Sequence, residues 1–255
     1  MITDPAFYAV AIPAVLLSGI AKAGANGLGI LAVPLMALAV SPAVAAAVLL
    51  PILCAMDLLG LWAWRGRAHW SVLRTVLPGA MLGIVAGSLV FFTLDVRWVK
   101  IILGAESILF ALHRIVAHRA IAARPARSPS HLLGGFWGGI GGFTSTLAHA
   151  GSPPLMQYLL PLKLDRDTLV ATSVIFFTVV NAVKLVPYGL LGLLDASGLA
   201  TALALAPAIP VGYWIGLRAV RALPEHWFQQ VVVWSLLLIG IKLLWDGIAG
   251  RLADA

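Results

Sequence analysis

Hydrophobic residues run through this chain in blocks about 20 residues long, the length an α-helix needs to cross the hydrocarbon core of a bilayer. Six uninterrupted blocks stand out, bounded by charge, proline or glycine: Ala43 to Trp64, Ser71 to Leu94, Trp98 to His118, Thr168 to Leu190, Gly198 to Leu217 and Trp227 to Ile248. Each predicts a spanning helix. Two further apolar stretches, Pro5 to Val40 and His131 to Leu162, are long enough to cross but are broken near the middle. The first break reads Lys22-Ala-Gly-Ala-Asn-Gly-Leu-Gly29, the second Thr144-Ser-Thr-Leu-Ala-His-Ala-Gly-Ser-Pro-Pro154. Glycine weakens a helix and proline removes a donor, so both breaks predict non-helical backbone. At membrane depth such backbone is tolerated only where protein or water satisfies it.

The pattern occurs twice. Pro34-Leu35-Met36 returns as Pro154-Leu155-Met156, each after a break and each before a span carrying a polar group at matching depth, Asp57 and Asn181. The small difference in offset falls in the loop Lys163-Leu-Asp-Arg-Asp167. Each half then holds one broken hairpin and three crossings, and an odd number of crossings turns the second copy upside down. The expected fold is an all-α polytopic membrane protein of two inverted repeats, each a broken re-entrant-like hairpin plus three transmembrane helices. Residues 1–118 and 132–255 form the repeats within one transmembrane domain, and 119–131 a basic cytoplasmic linker. Glycine- or proline-interrupted segments at corresponding positions of inverted repeats point to a midplane site where half-helix ends offer N–H groups to an anion.

Composition removes the alternatives. The chain is 61% hydrophobic and 11% charged, with a mean hydropathy of +1.00, against roughly 45–50% and about 25% in ordinary soluble domains. A water-soluble domain and a disordered chain are both excluded. The single Cys54 excludes an intramolecular disulfide and a CxxC motif. A formal charge of +7 would suggest nucleic acid in a soluble protein, but here the basic residues sort by side. Arg65, Arg67, Arg74, Arg114, Arg119, Arg124, Arg127, Lys163, Arg166, Arg218 and Arg221 fall at one set of segment ends, and only Arg97, Lys100 and Arg251 at the other. That bias places the first set in the cytoplasm and explains the charge without nucleic acid. Alternation then requires each broken segment to enter and leave on one side, as two half-spanning pieces. Met1 to Ala21 lacks a basic start and continues into the repeat, so no cleavable signal is expected. The nine tryptophans gather mainly near span ends, as an interfacial belt does.

The stretch from Lys22 to Pro34, the second-half run Thr-Leu-Ala-His-Ala-Gly-Ser-Pro-Pro-Leu-Met156 and the following Ala171-Thr-Ser173 resemble the sulfite exporter TauE/SafE family. The resemblance covers nearly the whole chain, including its duplication and basic central loop. It implies a bacterial inner-membrane transporter of small sulfur-containing anions, sulfite or organosulfonates, often an exporter. Members often carry consecutive glycines at the first break, whereas this chain reads Gly24-Ala-Asn-Gly-Leu-Gly29, with Asn26 as a side-chain donor in their place.

Lys22 closes the first half-helix and Lys184 lies within the fourth full span. Ionisable groups inside spans are costly and usually face a cavity or a partner. Two lysines converging at the breaks would hold an oxyanion; the competing reading is snorkelling or helix-end capping. Asn26, Thr144, Ser145, Thr146, Ser152, Thr172, Ser173 and Asn181 are uncharged donors of the kind a desolvated anion needs. Hydroxyls in membrane helices also commonly bond back to their own backbone. His149 lies within the second break and can donate to an anion or relay a proton, with Gln157 a lesser candidate; Gly27, Gly29 and Gly151 give the breaks their shape. The expected substrate-binding set is Lys22, Asn26, Gly27, Gly29, Thr146, His149, Gly151, Ser152, Thr172, Asn181 and Lys184. Asp57 and Glu106 are proton-coupling candidates, or counter-ions to Lys184 or Lys242. No metal and no cofactor is expected; the partners are a small anion and the lipid bilayer, and a homodimer is compatible with the pattern. Two rival functions stand beside transport: an intramembrane enzyme pairing His149 with Ser145 or Ser152, which lacks an orienting aspartate, and a non-transporting membrane subunit.

Overall fold

The computed structural model describes residues 1–23, 28–122, 127–222 and 225–253, and no strand occurs among the described residues. Helix α1 (Pro5–Lys22) starts where Asp4 accepts the Ala6 N–H at 2.9 Å and Pro5 takes the first position. Proline lacks the donor that a first turn leaves unpaired anyway. The same device, Ser41 followed by Pro42, opens α3 (Pro42–Trp64). Between them the chain resumes after the first break as a 3₁₀ turn, Leu28–Leu31, and a five-residue α2 (Ala32–Met36). The first half continues with α4 (Trp70–Thr93) and α5 (Val96–Ala122).

The second half opens with α6 (His131–Ala148), breaks at His149, and returns as α7 (Ser152–Leu159) and a 3₁₀ turn, Leu160–Leu162. Asp165 then caps α8 (Arg166–Leu190) by accepting the Thr168 N–H at 3.0 Å. Helices α9 (Ala196–Leu205), α10 (Ala208–Ala222) and α11 (Glu225–Ala253) complete the chain.

Both expected breaks are present, but their arms are unequal. Helices α1 and α6 each have 18 residues, about 27 Å at 1.5 Å per residue, whereas α2 has 5 and α7 has 8. Each broken segment is thus one long arm with a short return, not two half-spanning pieces. A second correction concerns Gly198 to Leu217, expected as one straight span. It is two helices, α9 and α10, bent by 46°. Pro207 at the joint has no N–H, and the flanking residues fall back on short bonds, Ala206 N–H to Leu203 O at 3.1 Å and Ile209 N–H to Ala206 O at 3.0 Å.

Among the described residues, α1, α3, α4 and α8 are each long and apolar enough to cross a membrane, and the bent α9–α10 pair would make a fifth. Helices α5 and α11, continuous over 27 and 29 residues, occupy the places of the third and sixth expected spans. Trp62, Trp70, Trp98, Trp214 and Trp245 are exposed on the outer surface, and so is Trp234.

Four helix pairs carry the packing: α4 with α6, α5 with α11, α1 with α10, and α3 with α8. Lipid tails are as apolar as leucine, so close backbone approach replaces the hydrophobic effect as the source of cohesion. Glycine makes that approach possible. A Cβ on Gly79 or Gly83 of α4 would lie 2.0 Å from the carbonyl oxygen of Gly135 or Gly139, and one on Gly138 or Gly142 of α6 would lie 2.1 Å from that of Val76 or Ala80. The two backbones touch along three turns. Gly142→Ala is expected to cost about 1–3 kcal/mol by overpacking, read as a lowered thermal midpoint in detergent. Gly135→Ala, where the added methyl meets nothing within 4 Å, is expected to leave the midpoint unchanged or raise it. Equal tolerance at the two positions would refute the α4–α6 contact.

Candidate functional site

Helix α8 brings a polar stripe into the interior. Ser173, Phe177, Asn181, Lys184 and Tyr188 recur every three or four residues, so they share one face. That face meets α3, whose Asp57 is only 1% exposed, and the end of α1, where Lys22 closes the last turn. Lys22 Nζ donates to Asp57 Oδ1, and Asn181 Nδ2 donates to Asp57 Oδ2 at 2.6 Å. The ammonium also lies 5.3 Å from the centre of the Phe177 ring, a cation–π distance. Asp57 is therefore the partner of Lys22, and neither expected counter-ion applies. Lys242 is paired on the surface of α11 with Asp246.

The second break is held by side chains. His149 sits at φ 52°, ψ 26°, in the left-handed region, which costs a non-glycine residue roughly 1–2 kcal/mol. Its ring shows why histidine stands there. Nε2 lies 2.9 Å from the Ala46 carbonyl oxygen of α3, which can only accept, so Nε2 carries the proton and Nδ1 is an acceptor. Lys184 Nζ donates to that Nδ1 at 2.7 Å, to Ser145 O at 2.9 Å and to Ser145 Oγ at 3.0 Å. Thr144 Oγ1 donates to Ala150 O at 3.1 Å, and Tyr188 OH to Thr146 O at 2.5 Å. The carbonyls freed by the break are answered from α6 itself and from α8.

Between the two breaks lies a cavity of about 110 Å³, several times the ~30 Å³ that one water takes in the liquid. Its polar lining is Ser18, Lys22, Ser145, His149, Ser152, Ser173 and Asn181, set among Gly29 and apolar side chains that include Leu49, Leu53, Met156, Leu169, Val170 and Phe177. Of the expected binding set, Lys22, Gly29, His149, Ser152 and Asn181 thus meet in one place. Asn26 and Gly27 lie outside the described residues.

Four of the expected residues stand elsewhere. Lys184 is fully buried behind the lining, its three donors engaged. Thr146 Oγ1 bonds back to Gly142 O at 2.8 Å, as hydroxyls in apolar helices do. Thr172 accepts the His69 N–H at 3.0 Å, fastening the α3–α4 loop to α8. Gly151 packs against Gly141, whose carbonyl oxygen would lie 2.7 Å from an added Cβ. Glu106 lies on α5 outside the cavity lining, with Oε1 buried and, among the described residues, without a hydrogen-bond partner. The sequence reading overlooked Ser18 and Phe177. Their spacing, four residues before Lys22 and four before Asn181, was the available signal. Both His149→Ala and His149→Gly are expected to destabilise the protein through loss of two ring hydrogen bonds. The glycine variant should be the more stable by about 1 kcal/mol, because it relieves the left-handed backbone; thermal midpoints in detergent decide, and the reverse order would refute the strain at this position.

The family model for sulfite exporter TauE/SafE matches residues 11–243, a stretch that contains both breaks and the whole cavity lining. No curated protein and no solved structure matches the chain. This multi-pass membrane protein therefore belongs to the sulfite exporter TauE/SafE family, and with it to the membrane transporters of sulfite and related sulfur anions.

Proposed function

We propose that the chain exports sulfite or a small organosulfonate by alternating access, binding the anion in the cavity between the two breaks. The observation that carries this reading is that Lys22, at the first break, and Ser145, His149 and Ser152, at the second, line one cavity together with Asn181. With Lys184 as an ammonium, this region holds two lysines, Lys22 partly and Lys184 fully buried, against one carboxylate, Asp57. One positive charge is then uncompensated, and an oxyanion completes the balance where the dielectric is low. Serine hydroxyls and the Asn181 amide replace part of its water shell.

The inverted-repeat reading, with residues 1–118 and 132–255 as the two copies, finds support in the helix pairing. Exchanging the halves turns α4 on α6 into α10 on α1, and returns α3 on α8 and α5 on α11 to themselves. Asp57 and Asn181, which this reading makes equivalent, hydrogen-bond to one another, as groups beside a two-fold axis would. Rocking of one repeat against the other about that axis would switch the cavity between faces.

Export from the cytoplasm agrees with the shape of the cavity. Its lining on α8 runs from Asn181, 3% exposed, through Val174 and Val170 to Leu169, toward the Arg166 end. The excess of basic loops supports a cytoplasmic location for that end, and the family resemblance supports the inner membrane of a bacterium. An inside-negative potential of about 100 mV would favour outward movement by about 2.3 kcal/mol per negative charge. The enzyme reading has less support, because both His149 ring nitrogens and the Ser145 hydroxyl are already engaged.

Counterflow of labelled sulfite in proteoliposomes tests the reading, with an organosulfonate, sulfate and acetate as competitors. The charge-neutral double variant Lys22→Gln/Asp57→Asn is expected to lower the rate at least tenfold, while Lys242→Gln, remote on the surface of α11, should retain it. Full counterflow in a folded double variant would remove Lys22 from the binding site; its absence from wild type would remove the sulfite reading.

A further inference from the structure

The two lysines of this region, Lys22 partly and Lys184 fully buried, stand in different electrostatic situations. Lys22 has a carboxylate of its own, with Asp57 in contact. Lys184 is 0% exposed and, among the described residues, forms no ion pair; its three neighbours are Ser145 O, Ser145 Oγ and His149 Nδ1, all neutral. Asp57, Cys54 and Lys22 lie within electrostatic reach but are not bonded to it. Tyr188, one turn further along α8, is occupied with Thr146 O. A buried ammonium without an anion costs several kcal/mol even after relaxation.

The same three neighbours serve a neutral amine equally well. The amine keeps two donors, for Ser145 O and His149 Nδ1, and its lone pair accepts the Ser145 hydroxyl in place of the third bond. Only the Ser145 hydroxyl hydrogen has to turn. His149 keeps its Nε2–H on Ala46 O, and a proton between its Nδ1 and Lys184 Nζ rests on the lysine, because imidazole is ordinarily a much weaker base than an alkyl amine. Ser145 and His149 both line the cavity, so an anion bound there would stand one side chain away from Lys184 Nζ.

Resting on the binding site proposed above, we propose that Lys184 couples anion binding to a proton: the side chain is neutral when the cavity is empty and takes up one proton when a sulfur oxyanion enters. The Ser145 hydroxyl passes its hydrogen to the amine and receives one from the cavity side, so the balance is one proton and one anion in, with no bond to the anion formed. The Lys22–Asp57 pair stays neutral throughout, and the anion is balanced by the new ammonium. Proton and anion then travel in the same direction. A monoanion moves without net charge, whereas a dianion carries one negative charge outward and still draws on the membrane potential. Lys184 acts through charge rather than contact and is a positioning residue for the anion.

Calorimetric titration of the purified full chain with sulfite, in buffers of different ionisation enthalpy, counts the protons taken up per anion. Sulfite's own ionisation, measured separately, enters wild type and variants alike. Wild type is expected to show an excess of about one proton per anion. Lys184→Met should lose that excess and bind sulfite at least tenfold more weakly. Lys184→Arg, which keeps a charge that does not titrate, should lose the excess while retaining affinity, and size exclusion with thermal midpoints identifies which variant is folded. Either folded variant matching the wild-type proton count would overturn the proposal, as would zero excess in wild type. Sulfite binding with unchanged proton counts rejects only the coupling role of Lys184; failure of wild type to bind sulfite at all rejects the proposed site with it.

Discussion

A helix interrupted inside lipid leaves carbonyl and amide groups that no water will meet, and this protein is arranged around that constraint. At the second break the freed groups are answered one by one. Thr144 reaches Ala150 O and Tyr188 reaches Thr146 O, Lys184 adds a second bond to Ser145 O, which already accepts the His149 N–H, and the His149 ring ties the turn to Ala46 of α3. Each unmet group would cost several kcal/mol in hydrocarbon. The stitching explains why a histidine occupies left-handed backbone where glycine would be less strained: glycine has no ring with which to bridge α3 and α8.

The same economy of polar groups shapes the charge. Three ionisable side chains, Lys22, Asp57 and Lys184, sit within one apolar region, and each is bonded. Two lysines against one carboxylate is a poor arrangement for a structural core, which would be at least as stable with apolar residues of similar volume. It suits a cavity whose occupant is negative. Beside Lys22 the lining is serine, histidine, asparagine and apolar side chains.

Around this centre the helices are held by proximity of backbones. Gly79 and Gly83 of α4 and Gly138 and Gly142 of α6 each face a carbonyl on the opposite helix, where Cα–H···O contacts and dispersion act over a long seam. On the other flank Gly212 of α10 meets Leu16 of α1 in the corresponding way. Two glycine-lined pairs, α4–α6 and α1–α10, therefore flank the central α3–α8 pair that carries Asp57 and Asn181. The long arms α1 and α6 that lead to the breaks are each seated closely against a neighbouring helix, α10 and α4.

The sequence by itself determined the solvent, the helices and the two breaks, because hydropathy over about 20 residues and the conformational habits of glycine and proline are local properties. It also determined which residues were unusual, Lys22, Asp57, His149, Asn181 and Lys184, since polar groups in apolar runs need no structure to be noticed. Only the tertiary structure decided their partners: that Asp57 belongs to Lys22, that Lys184 faces the second break from behind the cavity wall, and that Thr146 and Thr172 are spent on backbone and loop. Partner choice depends on helix rotation and crossing, set by side-chain packing between segments from 35 to more than 100 residues apart. The bend at Pro207 and the unequal arms escaped the sequence for a related reason. A hydropathy window averages over a turn, whereas where a helix stops is settled by which hydrogen bonds its neighbours can replace.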